Sequence, residues 1–488
     1  MAANSTRDLT QGPIGRNLLV FALPVMAGNI AQSLNGSINA VWVGRYLGES
    51  ALTATANANN VMFFLLGSVF GIGMAASILI GQAIGARDVA QARRVMGTSA
   101  TFFIGLSVAI AAIGWLIARP VLHAMGTPAD SLPLAEAYLR VIFLAMPLLY
   151  AFAFFSAALR GAGDSRTPFR FLLLSVALDI CFNPLLIFGL GPLPKLGIAG
   201  AAWATLLAQG ISLVAMLFYL RRKGNVLWLG RKDAGLLIVD TTILRALVVK
   251  GVPMGLQMVL ISLAMIAMMT MVNHKGTATT AAYGAAMQLW TYLQMPAMAI
   301  GAACSSIVAQ NVGAHRWDRV EATARSGVLF NFLLTGALIA PLILLDRWTL
   351  ALFLPEGSAS LEIARHLNHI AVWSFLFFGV TFVVSGVVRA TGAVLPPLLI
   401  LGFSLWGIRV PFANLMQPLI GDDALWWSFP VSAVCAMAMS LAYYRWGNWR
   451  KARMLAPYPE EVAIPAEVGS QPPAPVAEPV VRMSGQNP

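Results

Sequence analysis

Apolar stretches of about 20 residues recur along nearly the whole chain, separated by short polar connections. Each is long enough to cross a hydrocarbon core of roughly 30 Å. Inside such a core every backbone amide must find its partner within the protein, which restricts spanning elements to helices and closed barrels. Runs this long and continuous read as helices. The chain is therefore expected to be an all-α integral membrane protein with twelve transmembrane helices. Only 11% of its 488 residues are charged against 58% hydrophobic, too little charge to cover a soluble surface. No cleavable signal is expected, because the polar start MAANSTRDLTQGPIGRN leads into an apolar run of full spanning length.

The net charge of +12 does not gather into a nucleic-acid patch. With the spans numbered in order, the even-numbered loops and both ends carry 24 Lys and Arg, and the odd-numbered loops carry seven. This bias places both termini in the cytoplasm. Cys181, Cys304 and Cys435 all fall within apolar runs and read as small packing residues without metal spacing. No Walker-type phosphate loop is present, which argues against ATP as the driving force.

The chain repeats itself. Gly81-Gln82-Ala83-Ile84-Gly85-Ala86 is echoed by Ala309-Gln310-Asn311-Val312-Gly313-Ala314 at an offset of 228. Leu23-Pro24 matches Val252-Pro253, and Arg160-Gly161-Ala162-Gly163 matches Arg389-Ala390-Thr391-Gly392, both at 229. Six spans separate the copies, so the halves enter the membrane in the same sense: two parallel six-helix repeats around a central cavity. The expected organisation is a cytoplasmic segment 1–16, an N-lobe 17–220, a cytoplasmic linker 221–245, a C-lobe 246–446 and a cytoplasmic tail 447–488. The linker carries a short surface helix. The tail is Pro- and Ala-rich and is expected to be disordered beyond about residue 456.

Polar groups within spans are costly unless they face a cavity or a partner. Asp179 and Asn183, spaced i, i+4, share one face of the fifth span near the midplane. Pro184 follows, and its missing N–H frees the carbonyl of Ile180. Carboxylate, amide and carbonyl together suit a proton, a small cation or a substrate ammonium. Gln32, Asn35 and Asn39 form a stripe on the first span, and Thr205 and Gln209 lie on the sixth. Gln288, Tyr292 and Trp373, with Tyr283 and Trp290, are candidates for a substrate-accepting wall in the second half, although helical spacing is also what packing residues show. Gly81, Gly85 and Gly313 sit where spans meet loops, permitting close helix contact and a turn. Arg160 and Gly163 belong to the same structural class. In the loop after Arg160, Thr167 and Pro168 read as N-cap and first turn of the fifth helix. Arg409, the other charge within a span, reads as structural ahead of an anion contact.

GQAIGARD (81–88), LRGAGDSRTP (159–168), FNPLLIFGLGP (182–192), LGIAGAAWAT (196–205), AQNVGAHR (309–316) and IRVP (408–411) occur in order. This set resembles the multidrug and toxic compound extrusion (MATE) family over about residues 15 to 450. The resemblance implies twelve helices in two bundles, no enzymatic activity, and export of cationic or amphipathic compounds coupled to inward H⁺ or Na⁺. It also implies a monomer in a bacterial inner membrane, with the bilayer and a small-molecule substrate as its partners, no nucleic acid and no cofactor. Two departures stand out. Asn39 occupies a position that usually carries aspartate. The fifth-span pair reads Asp179-x-x-x-Asn183 where the DinF-like branch resembles Asn-x-x-x-Asp. The acidic residues of the NorM-like branch are also missing from the second half. Asp179, Asn183 and Asn39 are the expected ion-coupling set. A single carboxylate in low dielectric is readily protonated, which favours H⁺ over Na⁺. A flippase for a lipid-linked or anionic precursor is the alternative within transport. A membrane enzyme would need clustered Asp, His or Ser at one face, and the five histidines lack such neighbours.

Overall fold

The computed structural model describes residues 8–189, 194–355 and 357–455, and the tail expected to be disordered lies almost wholly outside them. The first half contains α1 (Ile14–Leu47), α2 (Glu49–Gly85), α3 (Val89–Ala124), α4 (Leu132–Gly161), α5 (Arg166–Phe188) and α6 (Ile198–Arg222). A 3-10 turn, Arg231–Leu237, leads into the second half. There follow α7 (Thr241–Asn273), α8 (Thr277–Gly313), α9 (Trp317–Leu344), the short α10 (Asp346–Ala351), α11 (Ala359–Ala371) and α12 (Ser374–Thr391). The chain continues through α13 (Leu395–Gly402), a π-helical segment (Phe403–Arg409), α14 (Val410–Leu415), α15 (Gln417–Ile420) and α16 (Asp423–Trp446). No strand occurs among the described residues. Eleven helical stretches there are long and apolar enough to cross a bilayer, and α2, 37 residues long, makes the twelfth.

Several helices begin at an acidic cap. Asp88 accepts from the amide of Gln91 at 2.8 Å and starts α3, and Asp240 accepts from Thr242 at 2.8 Å and starts α7. At α5 the cap lies earlier than the Thr167–Pro168 pair suggests. Asp164 Oδ1 accepts from Arg166 N at 3.1 Å and Thr167 N at 2.9 Å, so the carboxylate does the work assigned to Thr167. Between α6 and α7 lies the linker. Its 3-10 turn docks on α3, where Arg93 bonds Trp228 O at 3.0 Å and Asp233 at 2.6 Å.

The repeat is visible in the backbone as well as in the letters. Gly163 and Gly392 both adopt left-handed φ, +92° and +109°, and the turns after Gly85 and Gly313 both run through a left-handed residue, Arg87 and His315. The second-half counterpart of α5 is α13 with its π segment and α14. Arg409 stands 230 residues after Asp179, one beyond the repeat offset, and a π turn accommodates one extra residue.

Side chains such as Ile104, Val108, Ile113 and Leu116 on α3 and Leu329 and Leu333 on α9 are more than half exposed, an apolar belt suited to lipid. Between the halves the helices meet through small residues. At Gly71 on α2 a Cβ would overlap the backbone of Gly251 and Gly255 on α7, and at Gly251 it would lie 2.7 Å from Ile72 Cα. On the face that carries both ends of the described chain, α2 and α8 meet just as closely. A Cβ at Gly85 would lie 2.8 Å from Gln310 Cα, and one at Gly313 would lie 2.9 Å from Gln82 Cα. The two glutamines then reach across: Gln82 Nε2 donates to Ala390 O at 2.7 Å, and Gln310 Nε2 donates to Gly161 O at 3.0 Å. This pseudo-twofold clasp holds the lobes together on the terminal face.

Candidate functional site

The N-lobe encloses a cavity of about 300 Å³ whose lining includes Gln32, Asn35 and Asn39 from α1, Thr55 and Asn59 from α2, and Tyr138 from α4. Ser175 and Asp179 from α5 and Thr205 and Gln209 from α6 complete its polar wall. Among these lining residues Asp179 alone is charged. It is 3% exposed, so its partners decide how the charge is held. Asn35 Nδ2 donates to Oδ2 at 2.8 Å, and Thr205 Oγ1 donates to Oδ1 at 3.1 Å. Among the described residues no Lys or Arg forms an ion pair with it. Two hydrogen bonds to neutral groups steady a buried carboxylate without neutralising it, so a cation or a proton is the natural complement.

Helix geometry explains the convergence. α5 and α6 pack side by side, and α1 packs on α5, so residues one helix face apart on three elements meet at one point. Thr205 can donate or accept, and Asn35 carries both functions in one amide, so both can stay bonded when the carboxyl gains a proton. Asn183 adds a contact to the Asp179 backbone. Its Nδ2 donates to the backbone oxygen of Asp179 at 2.8 Å, closing the turn before Pro184. Its buried Oδ1 has no hydrogen-bond partner, and the same holds for Asn39 Oδ1 and Gln209 Oε1.

In the second half the marked aromatics do not line this cavity, and a separate pocket of about 240 Å³ is lined by His274, Lys275, Asn414, Gln417 and Asp422. Tyr283 and Trp290 are buried in an aromatic core with Phe375, Trp426 and Phe429, and Trp290 Nε1 donates to Asn368 Oδ1 at 2.9 Å. Gln288, Tyr292 and Trp373 are exposed and lie apart from the N-lobe cavity. Arg409 neither reaches outward nor bonds a backbone carbonyl: its Nε donates to Ser432 Oγ at 2.9 Å and its guanidinium lies 4.5 Å over the Phe429 ring. Cys181, read as a packing residue, is exposed on α5, while Cys304 is buried. Gly81, Gly85 and Gly313 serve the α2–α8 clasp, and Arg160 and Gly163 lie at the end of α4 beside it.

Tyr138, Asn59, Thr55 and Ser175 went unmarked in the sequence. Tyr138 is 3% exposed, and in the sequence it lies between Glu136 and Arg140 at the start of α4, where it reads as a span edge. Asn59 belongs to the TATANANN run, whose polarity reads as a span edge but which continues as helix.

Comparison with known proteins agrees with this architecture. The MatE family profile matches residues 24–185 and 253–415, one copy per half. A probable multidrug resistance protein of Bacillus subtilis, YoeA, is 35% identical over 451 residues, covering 92% of this chain and 97% of that one. The multidrug export protein MepA of Staphylococcus aureus is 24% identical over 445 residues, covering 89% and 94%. A crystal structure of a MATE transporter in the straight conformation superposes with a TM-score of 0.83 at 21% identity, covering 90% of this chain and 97% of that one. With two matched repeats and a relative alike along nearly its whole length, this chain belongs to the MatE (multidrug and toxic compound extrusion) family of membrane transporters.

Proposed function

We propose that the chain exports amphipathic, cationic small molecules in exchange for protons, by alternating access across a bacterial inner membrane with both termini in the cytoplasm. The observation that carries this reading is Asp179, a buried carboxylate with neutral partners in a polar cavity. The ionised carboxylate holds a cation. A proton arriving from outside removes the charge, and the cation loses its main attraction. Thr205 and Asn35 keep the neutral carboxyl satisfied, so protonation leaves no stranded polar atom. The clasp of Gln82 and Gln310 closes the cytoplasmic face, as an outward-facing state requires. The family resemblance and the names of the multidrug relatives supply the substrate class. Because the cavity wall holds a single negative charge, an anionic or lipid-linked substrate fits it poorly.

A second reading, Na⁺ in place of H⁺, is favoured by the unpaired oxygens of Asn39 and Gln209 on the same wall, since Na⁺ takes several oxygen ligands. The deciding experiment is efflux of a fluorescent cation from proteoliposomes under separately imposed pH and Na⁺ gradients, with wild type and Asp179→Asn. Efflux driven by the pH gradient alone and lost in Asp179→Asn is expected. Full efflux with unchanged pH dependence in the variant ends the scheme, and efflux driven by Na⁺ alone selects the second reading.

A further inference from the structure

The cytoplasmic clasp is symmetric in its glutamines and asymmetric in what covers them. Gln310 uses both ends of its amide: Nε2 donates to Gly161 O of the N-lobe, and Oε1 accepts from the backbone N–H of Leu9 at 3.1 Å. Leu9 is fully buried, and C-lobe side chains grip the segment around it by its backbone. Asn311 Nδ2 donates to Leu9 O at 3.3 Å, Arg316 to Thr10 O at 2.7 Å, and Arg319 to Gln11 O at 3.3 Å and Gly12 O at 3.0 Å. Gln82 makes the matching bond to Ala390 but stays partly exposed, whereas Gln310 is fully buried. One half of a two-fold gate is bolted.

Covalently, residues 8–12 belong to the N-lobe, because they run through Pro13 into α1. The bonds that Gln310, Asn311, Arg316 and Arg319 make to residues 9–12 therefore cross the seam that must part when the cytoplasmic face opens. The linker before α7 makes the reciprocal crossing and holds to α3 through Arg93 and through Thr101, whose Oγ1 donates to Leu237 O at 2.8 Å. The linker is tied at both ends and cannot leave. Residues 9–12 reach the C-lobe through hydrogen bonds alone, and such bonds can be broken and remade.

Resting on the alternating-access reading above, we propose that Asp8–Gly12 is a releasable latch that sets the balance between cytoplasm-closed and cytoplasm-open states. The bonds grip main-chain atoms, so the latch depends on the presence and length of the segment more than on its residues, with buried Leu9 as the exception. Several bonds, some charge-assisted, act together, so losing the segment should shift the balance by at least about tenfold, while losing one arginine contact shifts it by about 3- to 10-fold.

The test uses spin labels on Lys223→Cys and Lys451→Cys, exposed positions on the cytoplasmic sides of the two lobes, in a background with the native cysteines replaced. Electron–electron distances are measured in nanodiscs for the full chain, a deletion of residues 2–10, and Arg316→Gln. Arg316 is exposed and its contact here is with Thr10, so its folding is not at stake should the deletion fail to fold. A rise in the long-distance population in the deletion, with a smaller rise in Arg316→Gln, is expected. An unchanged distribution in Arg316→Gln and in a folded deletion overturns the latch while leaving the transport scheme standing. A wild type with a single distance at every pH and substrate concentration overturns alternating access, and the latch with it.

Discussion

Replacing Gly313 or Gly85 by alanine separates a local effect from a global one. Neither glycine has a positive φ, so alanine suits the backbone and raises intrinsic helix propensity by about 1 kcal/mol. In the closed state, however, the new methyl at 313 would lie 2.9 Å from Gln82 Cα and closer still to its carbonyl, and the one at 85 would lie 2.8 Å from Gln310 Cα. These are backbone atoms of helices, which cannot swing aside as a flexible side chain does. Overpacking of this kind costs roughly 1–3 kcal/mol. The cost falls only on the state in which α2 and α8 touch, so the balance should move toward the cytoplasm-open state by roughly 5- to 150-fold. The two sites share one seam, so the double variant should shift by less than the product of the singles. The Lys223→Cys/Lys451→Cys distances read the shift directly, and efflux should fall because the closed state is visited less often. Thermal unfolding in detergent should change little. If Gly313→Ala keeps the wild-type distance distribution and wild-type efflux, the helices do not meet backbone to backbone and the clasp is refuted.

Two further outcomes follow from the same geometry. Asn35→Ala removes the 2.8 Å bond to Asp179, and hydrogen bonds to charged groups are worth about 1.5–3 kcal/mol, so coupled efflux in proteoliposomes should drop roughly 10- to 100-fold; unchanged coupling would show that the bond does not matter. Trp290→Phe leaves Asn368 buried without its donor and should lower stability by about 1–3 kcal/mol in thermal unfolding, yet leave substrate affinity within about twofold; a large affinity loss with normal stability would make the aromatic cluster a binding wall after all.

How much could be read from the letters varies with the kind of force involved. Hydropathy dictates the spans directly, because each apolar run must find lipid, so the helix count and the duplicated architecture were legible. Helix ends were less so. Asp164 and Thr167 are both good cap residues, and only the three-dimensional turn shows that the carboxylate takes the amides. Within the spans, Gln32, Asn35, Asn39, Asp179, Thr205 and Gln209 could be picked out singly as costly polar residues, and the structure gathers all six around one cavity. Which atoms pair was not legible. Asn183 sits at the expected spacing from Asp179, and spacing alone does not show that its Nδ2 donates to the Asp179 backbone oxygen. The second-half aromatics mark the limit of periodicity. Tyr283 and Trp290 have the spacing of a wall and of a core alike, and the asparagine that takes the Trp290 proton lies 78 residues away.

The halves have diverged in a way that assigns them different work. The N-lobe keeps a carboxylate, amides and an open cavity on helices α1, α5 and α6. In the C-lobe the corresponding charge is Arg409, stacked on Phe429 and held by Ser432, amid an aromatic core that fills the space. On the proposed proton exchange, the coupling chemistry falls to the N-lobe carboxylate while the clasp draws on both lobes. Two helices reach both regions: α2 lines the cavity through Thr55 and Asn59 and carries Gln82, while α1 bonds the carboxylate itself. α1 brings Asn35 to Asp179 in the cavity, and its leading segment carries Leu9 to Gln310 in the clasp. With 34 residues it spans about 51 Å. Any change in the Asn35–Asp179 bond on protonation is thus applied to the same helix, interrupted by Pro24, whose leading segment is bonded to the opposite lobe. That makes Asn35→Ala the sharper of the two remaining tests: it leaves the carboxylate in place and removes the one direct bond from α1 to the charge. If gating follows the state of Asp179 through α1, the pH response of the cytoplasmic distances should flatten in this variant even though Asp179 is intact. If the response persists, the signal leaves the cavity by α2, α5 or α6 instead.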